Sequence, residues 1–134
     1  LAEHAWHLMR RHWQSRVSFS FPRLRSACGV SSSEFPYLLE DKNLVQMMLA
    51  LRLCFSDAGI VLSTREPASL RDRLMGLVVT RISAGSRTSP GGYTDPATHT
   101  GQFDVVDRRS PREVVAVIRD KGFDPVWKDW DSAF

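Results

Sequence analysis

A strand–helix–strand pattern in the middle of the chain most constrains its fold. Ile60–Leu62 is a short apolar run with β-branched residues, which is typical of a strand buried on both faces. Ser69 stands where it can cap a helix over about residues 70–77, and the β-branched run Val78–Ile82 follows. Because a helical crossover of this length joins parallel strands, the pattern predicts a βαβ unit.

One helix and one strand are predicted before this unit. Val17–Phe21 alternates apolar residues with serines, which is the period of a half-buried strand. Pro22 should end that strand, because proline cannot donate a hydrogen bond to a ladder. The spacing of apolar residues in 2–14 predicts an amphipathic helix. Its apolar stripe consists of Ala2, Ala5, Trp6, Met9 and Trp13.

Two further helices are predicted from caps and apolar stripes. Asp41 can cap a helix that continues to about residue 55. The apolar stripe of that helix consists of Leu44, Met47, Met48, Leu51, Cys54 and Phe55. Near the end of the chain, Ser110–Glu113 is a capping box with proline at the first helical position. Gly122 stands where the residue after the helix end belongs.

The composition is that of an ordinary soluble globular protein. The chain has 134 residues, 43% of them hydrophobic and 25% charged, which fits one domain or a part of one. It contains no run of 18 apolar residues and no visible signal peptide, so no membrane association is predicted. The net charge of +3 comes from interspersed acids and bases. Because Leu1 is followed at once by a predicted helix, we expect a fragment whose N-terminal part is missing.

The cysteines and histidines do not form a metal-binding pattern. Cys28 and Cys54 match no zinc or cluster spacing, so we expect buried thiols of a reduced cytoplasmic protein. His4 and His7 stand three residues apart, which can seat a metal. No complete set of metal ligands stands beside them, and a solvated or capping role is favoured. We therefore predict no metal ligands in this chain.

Polar residues follow the ends of the predicted strands. They are Arg23 and Arg25 after the first strand, Ser63, Thr64, Arg65 and Glu66 after the second, and Ser83 and Ser86 after the third. Parallel α/β proteins bind their ligands at the carboxyl ends of their strands, so this set is the candidate site. For Arg23 and Arg25, spacing alone favours two solvated side chains. The glycine-containing loop after Ser83 is neither a P-loop nor a dinucleotide-binding fingerprint.

The elements read together as an α/β architecture. Three parallel strands cannot close a barrel or cover both faces of a full sheet. From the residues alone, we expect the C-terminal part of an α/β enzyme with a site at the strand ends.

Several motifs, in this order along the chain, resemble the C-terminal part of the 2-iminoacetate synthase family, the tyrosine lyases of thiamine biosynthesis. The motifs are SFSFPRLR, NLVQMMLALRL, VLSTREPASLRDRL, SAGSRTSPGGY, QFDVVDRRSP and PVWKDWD. These enzymes are radical S-adenosylmethionine (SAM) proteins on a (β/α)8 TIM-type barrel. The resemblance implies that Val17–Phe21, Ile60–Thr64 and Val78–Ile82 are barrel strands six to eight. It also implies that residues 1–101 belong to the barrel and residues 102–134 to the associated region shared with biotin synthase.

The resemblance also implies an activity. The family uses a 4Fe–4S cluster and SAM to cleave the Cα–Cβ bond of tyrosine, giving p-cresol and 2-iminoacetate. Implied partners are tyrosine, SAM and a thiazole synthase, with no nucleic acid and no membrane, in the cytoplasm. The cluster-binding CxxxCxxC triplet is absent from this sequence. The chain alone is therefore expected to bind no cluster and to be inactive.

Two groups of residues receive roles from the resemblance. Ser20, Pro22 and Arg23 are expected against the adenosyl end of SAM, with Pro22 fixing the backbone. Arg65, Ser83 and Ser86 are expected to bind the amino-acid end of tyrosine, since a guanidinium offers a planar fork for the carboxylate. The alternative for Arg65 is a structural ion pair with Glu66 or another carboxylate.

Two other functions stay open at this point. The first is the tyrosine lyase of hydrogenase maturation, although that family carries a C-terminal extension with further cysteines. The second is a basic module that binds polyanions. Its candidate residues are Arg71, Arg73, Arg81, Arg87, Arg108, Arg109 and Arg112. Interspersed carboxylates make this second function the weaker alternative.

Overall fold

The computed structural model describes residues 1–24, 31–94 and 104–127. Predictions that concern Arg25, Cys28 and the tail from Lys128 onward lie outside these residues. The elements are helix α1 (Ala2–Arg11), strand β1 (Ser18–Ser20), a 3₁₀ turn (Ser32–Glu34), helix α2 (Asp41–Cys54), strand β2 (Gly59–Leu62), helix α3 (Ala68–Leu74), strand β3 (Arg81–Ile82) and helix α4 (Pro111–Asp120).

The three strands form one parallel sheet in chain order, β1-β2-β3. Ser18 pairs with Gly59 in the first ladder, and Val61 pairs with Arg81 in the second. The predicted parallel βαβ arrangement is therefore confirmed. The carboxyl ends of the strands lie at one edge of the sheet, as the candidate site requires.

The third strand is shorter than predicted. Helix α3 ends at Leu74, whose carbonyl oxygen accepts hydrogen bonds from the backbone N–H groups of Val78 and Val79 at 3.3 and 3.4 Å. These contacts hold the segment in a tight turn, and Gly76 supplies its positive φ of 75°. The prediction of a strand from Val78 is wrong, because the N–H groups of Val78 and Val79 bond to Leu74 and the ladder with β2 begins only at Arg81.

The hydrophobic core lies on one face of the sheet. Phe19, Ile60 and Leu62 point to the same side and pack in one cluster with Leu44 and Met48 of α2. The strand positions that alternate with them form the opposite face. These are Ser18, Ser20, Gly59, Val61 and Arg81, all exposed or half-buried. This opposite face, here named the open face, is partly polar: the Arg81 guanidinium donates to Ser18 Oγ at 3.1 Å.

Two helices differ from their predicted stripes. In α1 the only buried residue is Ala5, while Trp6 is 62% exposed and Trp13, beyond the helix end, is 78% exposed. In α2, Leu44, Met48 and Leu51 are buried as the stripe predicts, but Cys54 is exposed. The expectation of a buried thiol is wrong for Cys54, because it lies in the last turn and faces away from the sheet's core cluster. Among the described residues, no helix is long and apolar enough to cross a membrane.

The structure contradicts the predicted N-cap of α3 and confirms the predicted N-cap of α4. The N-cap of α3 is Pro67, and Ser69 lies inside the helix, so the predicted serine cap is wrong. At α4 the capping box is present: Ser110 N–H donates to Glu113 Oε2 at 2.7 Å, and Glu113 N–H donates to Ser110 Oγ at 3.3 Å. Gly122 has the predicted positive φ of 81°.

We expect Ser110→Ala to reduce the free energy of unfolding by about 1 kcal/mol, since it removes the acceptor for the Glu113 N–H. Hydrogen bonds from Ser110 lower the pKa of Glu113 below its ordinary value of 4.5. A lowered carboxyl pKa contributes stability above the ordinary pKa and loses it as pH falls. The difference between Ser110→Ala and the parent should therefore shrink below pH 4.5. Urea titrations at pH 7 and pH 3.5 measure it, and Ser110→Thr, which keeps the oxygen, is the control; equal losses in both variants would contradict the cap.

Candidate functional site

The carboxyl ends of the three strands are joined by direct contacts. Ser83, directly after β3, donates its N–H to the carbonyl oxygen of Leu62 at the end of β2, at 3.1 Å. Arg65, three residues after β2, places its guanidinium 3.5 Å from the carbonyl oxygen of Arg23, which follows β1. The polar segments after neighbouring strands are therefore in contact with each other.

Two predicted tyrosine-binding residues lie on neighbouring strand ends. Arg65 is half-buried, and its N–H donates to Ser63 Oγ at 3.3 Å. Ser83 is half-buried on the next strand end, against Leu62. Ser86 is also half-buried, and it lies three residues farther along the loop that follows Ser83. A guanidinium and a hydroxyl at adjacent strand ends can receive a carboxylate and an amino group.

The predicted SAM-contacting residues have different surroundings. Ser20 and Pro22 are exposed at the end of β1. The side chain of Arg23 is only 9% exposed: its guanidinium is bonded to the buried carboxylate of Glu66 and lies 2.7 Å from Asp41. The expectation of a solvated Arg23 is wrong. The hydrogen bond to Glu66 raises the pKa of Arg23 above its ordinary value and outweighs burial, which acts to lower it.

A second buried ion pair lies beside the end of β3. Arg71 of α3 has no exposed surface; its Nη1 is bonded to Asp107 Oδ2 and its Nη2 donates to the carbonyl oxygen of Ser83. Burial lowers the pKa of Arg71, against the attraction of Asp107. Burial acts to raise the pKa of Asp107, but hydrogen bonds from Arg109 and the charge of Arg71 outweigh it, so that pKa is lowered. The lowered pKa favours the charged form of Asp107, and a guanidinium stays protonated in proteins.

Residues 104–110, here named the bridging segment, connect the two strand ends. The N–H groups of Val106 and Asp107 both donate to the carbonyl oxygen of Thr64 at 3.0 Å. Farther along, the carbonyl oxygen of Arg109 accepts the Gly85 N–H at 3.2 Å. The segment therefore crosses from the residue before Arg65 to the loop that follows Ser83.

Arg109, within the bridging segment, connects that segment to helix α3. Its guanidinium donates to Asp107 Oδ2 at 2.7 Å and to Asp72 Oδ1 at 2.8 Å. These hydrogen bonds raise the pKa of Arg109 above its ordinary value. Arg71 and Arg109 thus serve internal ion pairs, which removes both from the basic surface that a polyanion-binding module needs.

The sequence reading missed the Arg71–Asp107 pair. One signal was available, because Arg71 lies three residues before Leu74 and next to Leu70, on the apolar side of α3. An arginine at such a position must have an internal partner. The partner is 36 residues away, so no local pattern identifies it.

The described residues do not fit an iron–sulfur cluster. Among residues 1–24, 31–94 and 104–127, no group of three His, Cys, Asp or Glu side chains can hold a metal ion. Cys54, the one cysteine in these ranges, is exposed on α2.

A parallel sheet with helices against one face and polar groups at its carboxyl edge is the arrangement of an α/β ligand-binding protein. Residues 20–124 match the family model of the Biotin and Thiamin Synthesis associated domain. Since this match covers most of the chain, the chain belongs to that family.

Two curated relatives are similar to almost the whole of this chain. The chain is 43% identical over 132 residues to 2-iminoacetate synthase of Escherichia coli and 42% identical over 132 residues to that of Salmonella typhimurium. Each alignment covers 98% of this chain and 34% of the relative. The chain thus spans about one third of the length of these relatives.

Solved structures of HydG, a maturase of the [FeFe]-hydrogenase, are similar in fold. One superposes with a TM-score of 0.84 at 34% identity, covering 94% of this chain and 27% of that chain. The HydG of Carboxydothermus hydrogenoformans superposes with a TM-score of 0.71 at 38% identity, covering 91% of this chain and 27% of that chain. The α/β class with a small parallel sheet is shared with these proteins.

Proposed function

We propose that this chain is the C-terminal part of a radical SAM tyrosine lyase that cleaves the Cα–Cβ bond of tyrosine to 2-iminoacetate and p-cresol for thiazole synthesis. The observation that carries the proposal is the 43% identity to 2-iminoacetate synthase over 98% of this chain. The adjacent strand ends with Arg65 and Ser83 support it, because they offer groups for the two ends of an amino acid.

The proposal includes a barrel. In it, β1, β2 and β3 are strands six, seven and eight of a TIM-type barrel formed with the rest of the relatives' length, residues 1–101 belong to the barrel, and residues 102–134 form the associated region. The open face supports this assignment. Parallel sheets are covered on both faces, and among the described residues only the Phe19 and Ile60 face is packed against a core. In a barrel, the open face lines the interior, where polar groups meet the substrate.

Arg65 is proposed to bind the carboxylate of tyrosine, and Ser83 its amino group or carboxylate. A bidentate guanidinium–carboxylate pair fixes orientation as well as charge. Orientation matters here, because the reaction must begin at the amino nitrogen and not at the benzylic carbon. Ser86, on the same loop, is proposed to complete the polar lining.

The cofactors are proposed to meet the chain at β1. When bound, SAM and the cluster supply the radical that attacks tyrosine. The exposed Ser20 and Pro22 are available to contact the adenosyl end through backbone groups, while the Arg23 side chain is already bonded to Glu66. The CxxxCxxC triplet of the family is absent from the sequence, so the chain alone is expected to be inactive. The proposal also includes a thiazole synthase as protein partner and a cytoplasmic location.

Arg65→Lys in the full-length protein tests the site. Lysine keeps the charge but loses the fork, so we expect tyrosine affinity to fall about tenfold and more SAM to be cleaved per p-cresol formed. Arg87→Lys, an exposed position on the loop after Ser83, is the matched control. Equilibrium binding and product ratios by chromatography measure both effects. A variant that couples SAM cleavage to p-cresol as tightly as the parent would remove Arg65 from the site.

The similarity to HydG favours one alternative, a tyrosine lyase of hydrogenase maturation. Both functions begin with the same substrate, so tyrosine cleavage does not separate them. Complementation does: the full-length gene should restore growth without thiazole to a strain that lacks 2-iminoacetate synthase. Maturation of a hydrogenase in place of this rescue would select the alternative.

A further inference from the structure

Arg71 is a buried cation to which the family resemblance gives no role, and its burial removes it from a polyanion-binding surface. Its guanidinium is bonded to Asp107 and to the carbonyl oxygen of Ser83, while its Nε has no hydrogen-bond partner among the described residues. Burying a guanidinium with one N–H unsatisfied costs free energy, which a hydrophobic residue of similar size would avoid. Stability alone therefore explains this arginine poorly.

We propose that Arg71 is a positioning residue that aims the side chain of Ser83 at the substrate. The N–H of Ser83 is held by Leu62 at 3.1 Å, and its carbonyl oxygen is held by Arg71. The peptide groups on both sides of the Ser83 Cα are thus anchored, so the direction of its Cα–Cβ bond is set. This inference rests on the proposed function, in which Ser83 contacts the amino-acid end of tyrosine.

The same network reaches Arg65. Asp107, the carboxylate that holds Arg71, donates its own N–H to the carbonyl oxygen of Thr64, the residue before Arg65. Val106 donates to the same oxygen at 3.0 Å. One ion pair therefore holds the backbone beside both proposed substrate-binding residues, so the points from which the two side chains extend keep a constant relation to each other. Misplacement by about 1 Å can cost about 100-fold in rate, which is the reason to expect an effect of this link on the reaction.

Arg71→Met in the full-length protein with its cofactors tests the proposal. Asp107 keeps its hydrogen bonds to Arg109, so the fold should persist. We expect tyrosine affinity to fall about tenfold and the SAM cleaved per p-cresol to rise, with SAM affinity unchanged because the proposed SAM contacts lie at β1. The matched control is Arg73→Met, the same change at an exposed position of α3.

Two results would overturn the proposal. One is an Arg71→Met variant that binds tyrosine and couples SAM cleavage like Arg73→Met. The other is an equal loss of tyrosine and SAM affinity, which describes a purely structural role. If Arg71→Met does not fold, Arg71→Lys is measured in the same assays and judged by the same two results. Its ammonium keeps the charge beside Asp107 but lacks the fork that reaches both Asp107 and the Ser83 carbonyl.

Hydrogen exchange separates this proposal from the proposed function. A parent protein that binds no tyrosine contradicts the proposed function by itself. In that case the backbone N–H groups of Ser83 and Gly85 still report on Arg71: exchange faster in Arg71→Met than in Arg73→Met supports the anchoring of this loop, and equal exchange overturns it.

Discussion

Replacement of Asp107 by alanine should reduce the free energy of unfolding by about 3–5 kcal/mol. Asp107 is 2% exposed and is the only carboxylate that the described hydrogen bonds give to Arg71, which has no exposed surface. Removing it leaves a buried guanidinium without a counterion, and Arg109 loses one of its two carboxylate partners. Urea titration of the full-length protein at pH 7 measures the loss.

Two variants isolate the cause of this loss. Asp72→Ala removes the other carboxylate bonded to Arg109. The Asp72 side chain is 29% exposed, so this substitution should cost no more than about 1 kcal/mol. The double variant Arg71→Met with Asp107→Ala removes the buried cation together with its partner and should recover most of the loss, since an apolar side chain can replace a buried pair. If the double variant were as unstable as Asp107→Ala, the uncompensated charge would not be the reason.

Gly76→Ala should destabilise the protein by about 2 kcal/mol, most of it from the backbone conformation and the rest from a contact with Phe123. Gly76 has φ of 75°, a left-handed conformation that costs alanine about 1–2 kcal/mol. A Cβ added there would also lie 2.3 Å from Cζ of the Phe123 ring, so the ring or the turn must move. Thermal and urea unfolding of the full-length protein measure the sum.

Gly122→Ala is the matched control for Gly76→Ala. Gly122 has a similar φ of 81°, but a Cβ added there meets no atom of the described residues within 4 Å. It should therefore show the backbone cost alone. Adding Phe123→Ala to each glycine variant should recover part of the loss only for Gly76. Equal losses for the two glycine variants would mean that the Phe123 ring moves away without cost.

The elements that the sequence predicted correctly depend on residues close together in the chain. The capping box of Ser110 and Glu113 spans one helical turn, and the buried stripe of α2 repeats with the helical period. The parallel order of β1, β2 and β3 follows from the length of the crossover between strands. Because parallel neighbouring strands end at the same edge of the sheet, the sequence could place Arg65 and Ser83 close to each other.

Tertiary structure alone decided which charges are internal. Arg23 and Glu66 are 43 residues apart, and Arg71 and Asp107 are 36 residues apart, so no periodicity relates them. Contacts with distant segments also decided the place of Val78, which is buried in the core and lies before β3. The physical reason is the same in each case: the cost of burying a charge or leaving a valine exposed depends on which distant segment covers it, and the local sequence contains only half of that contact.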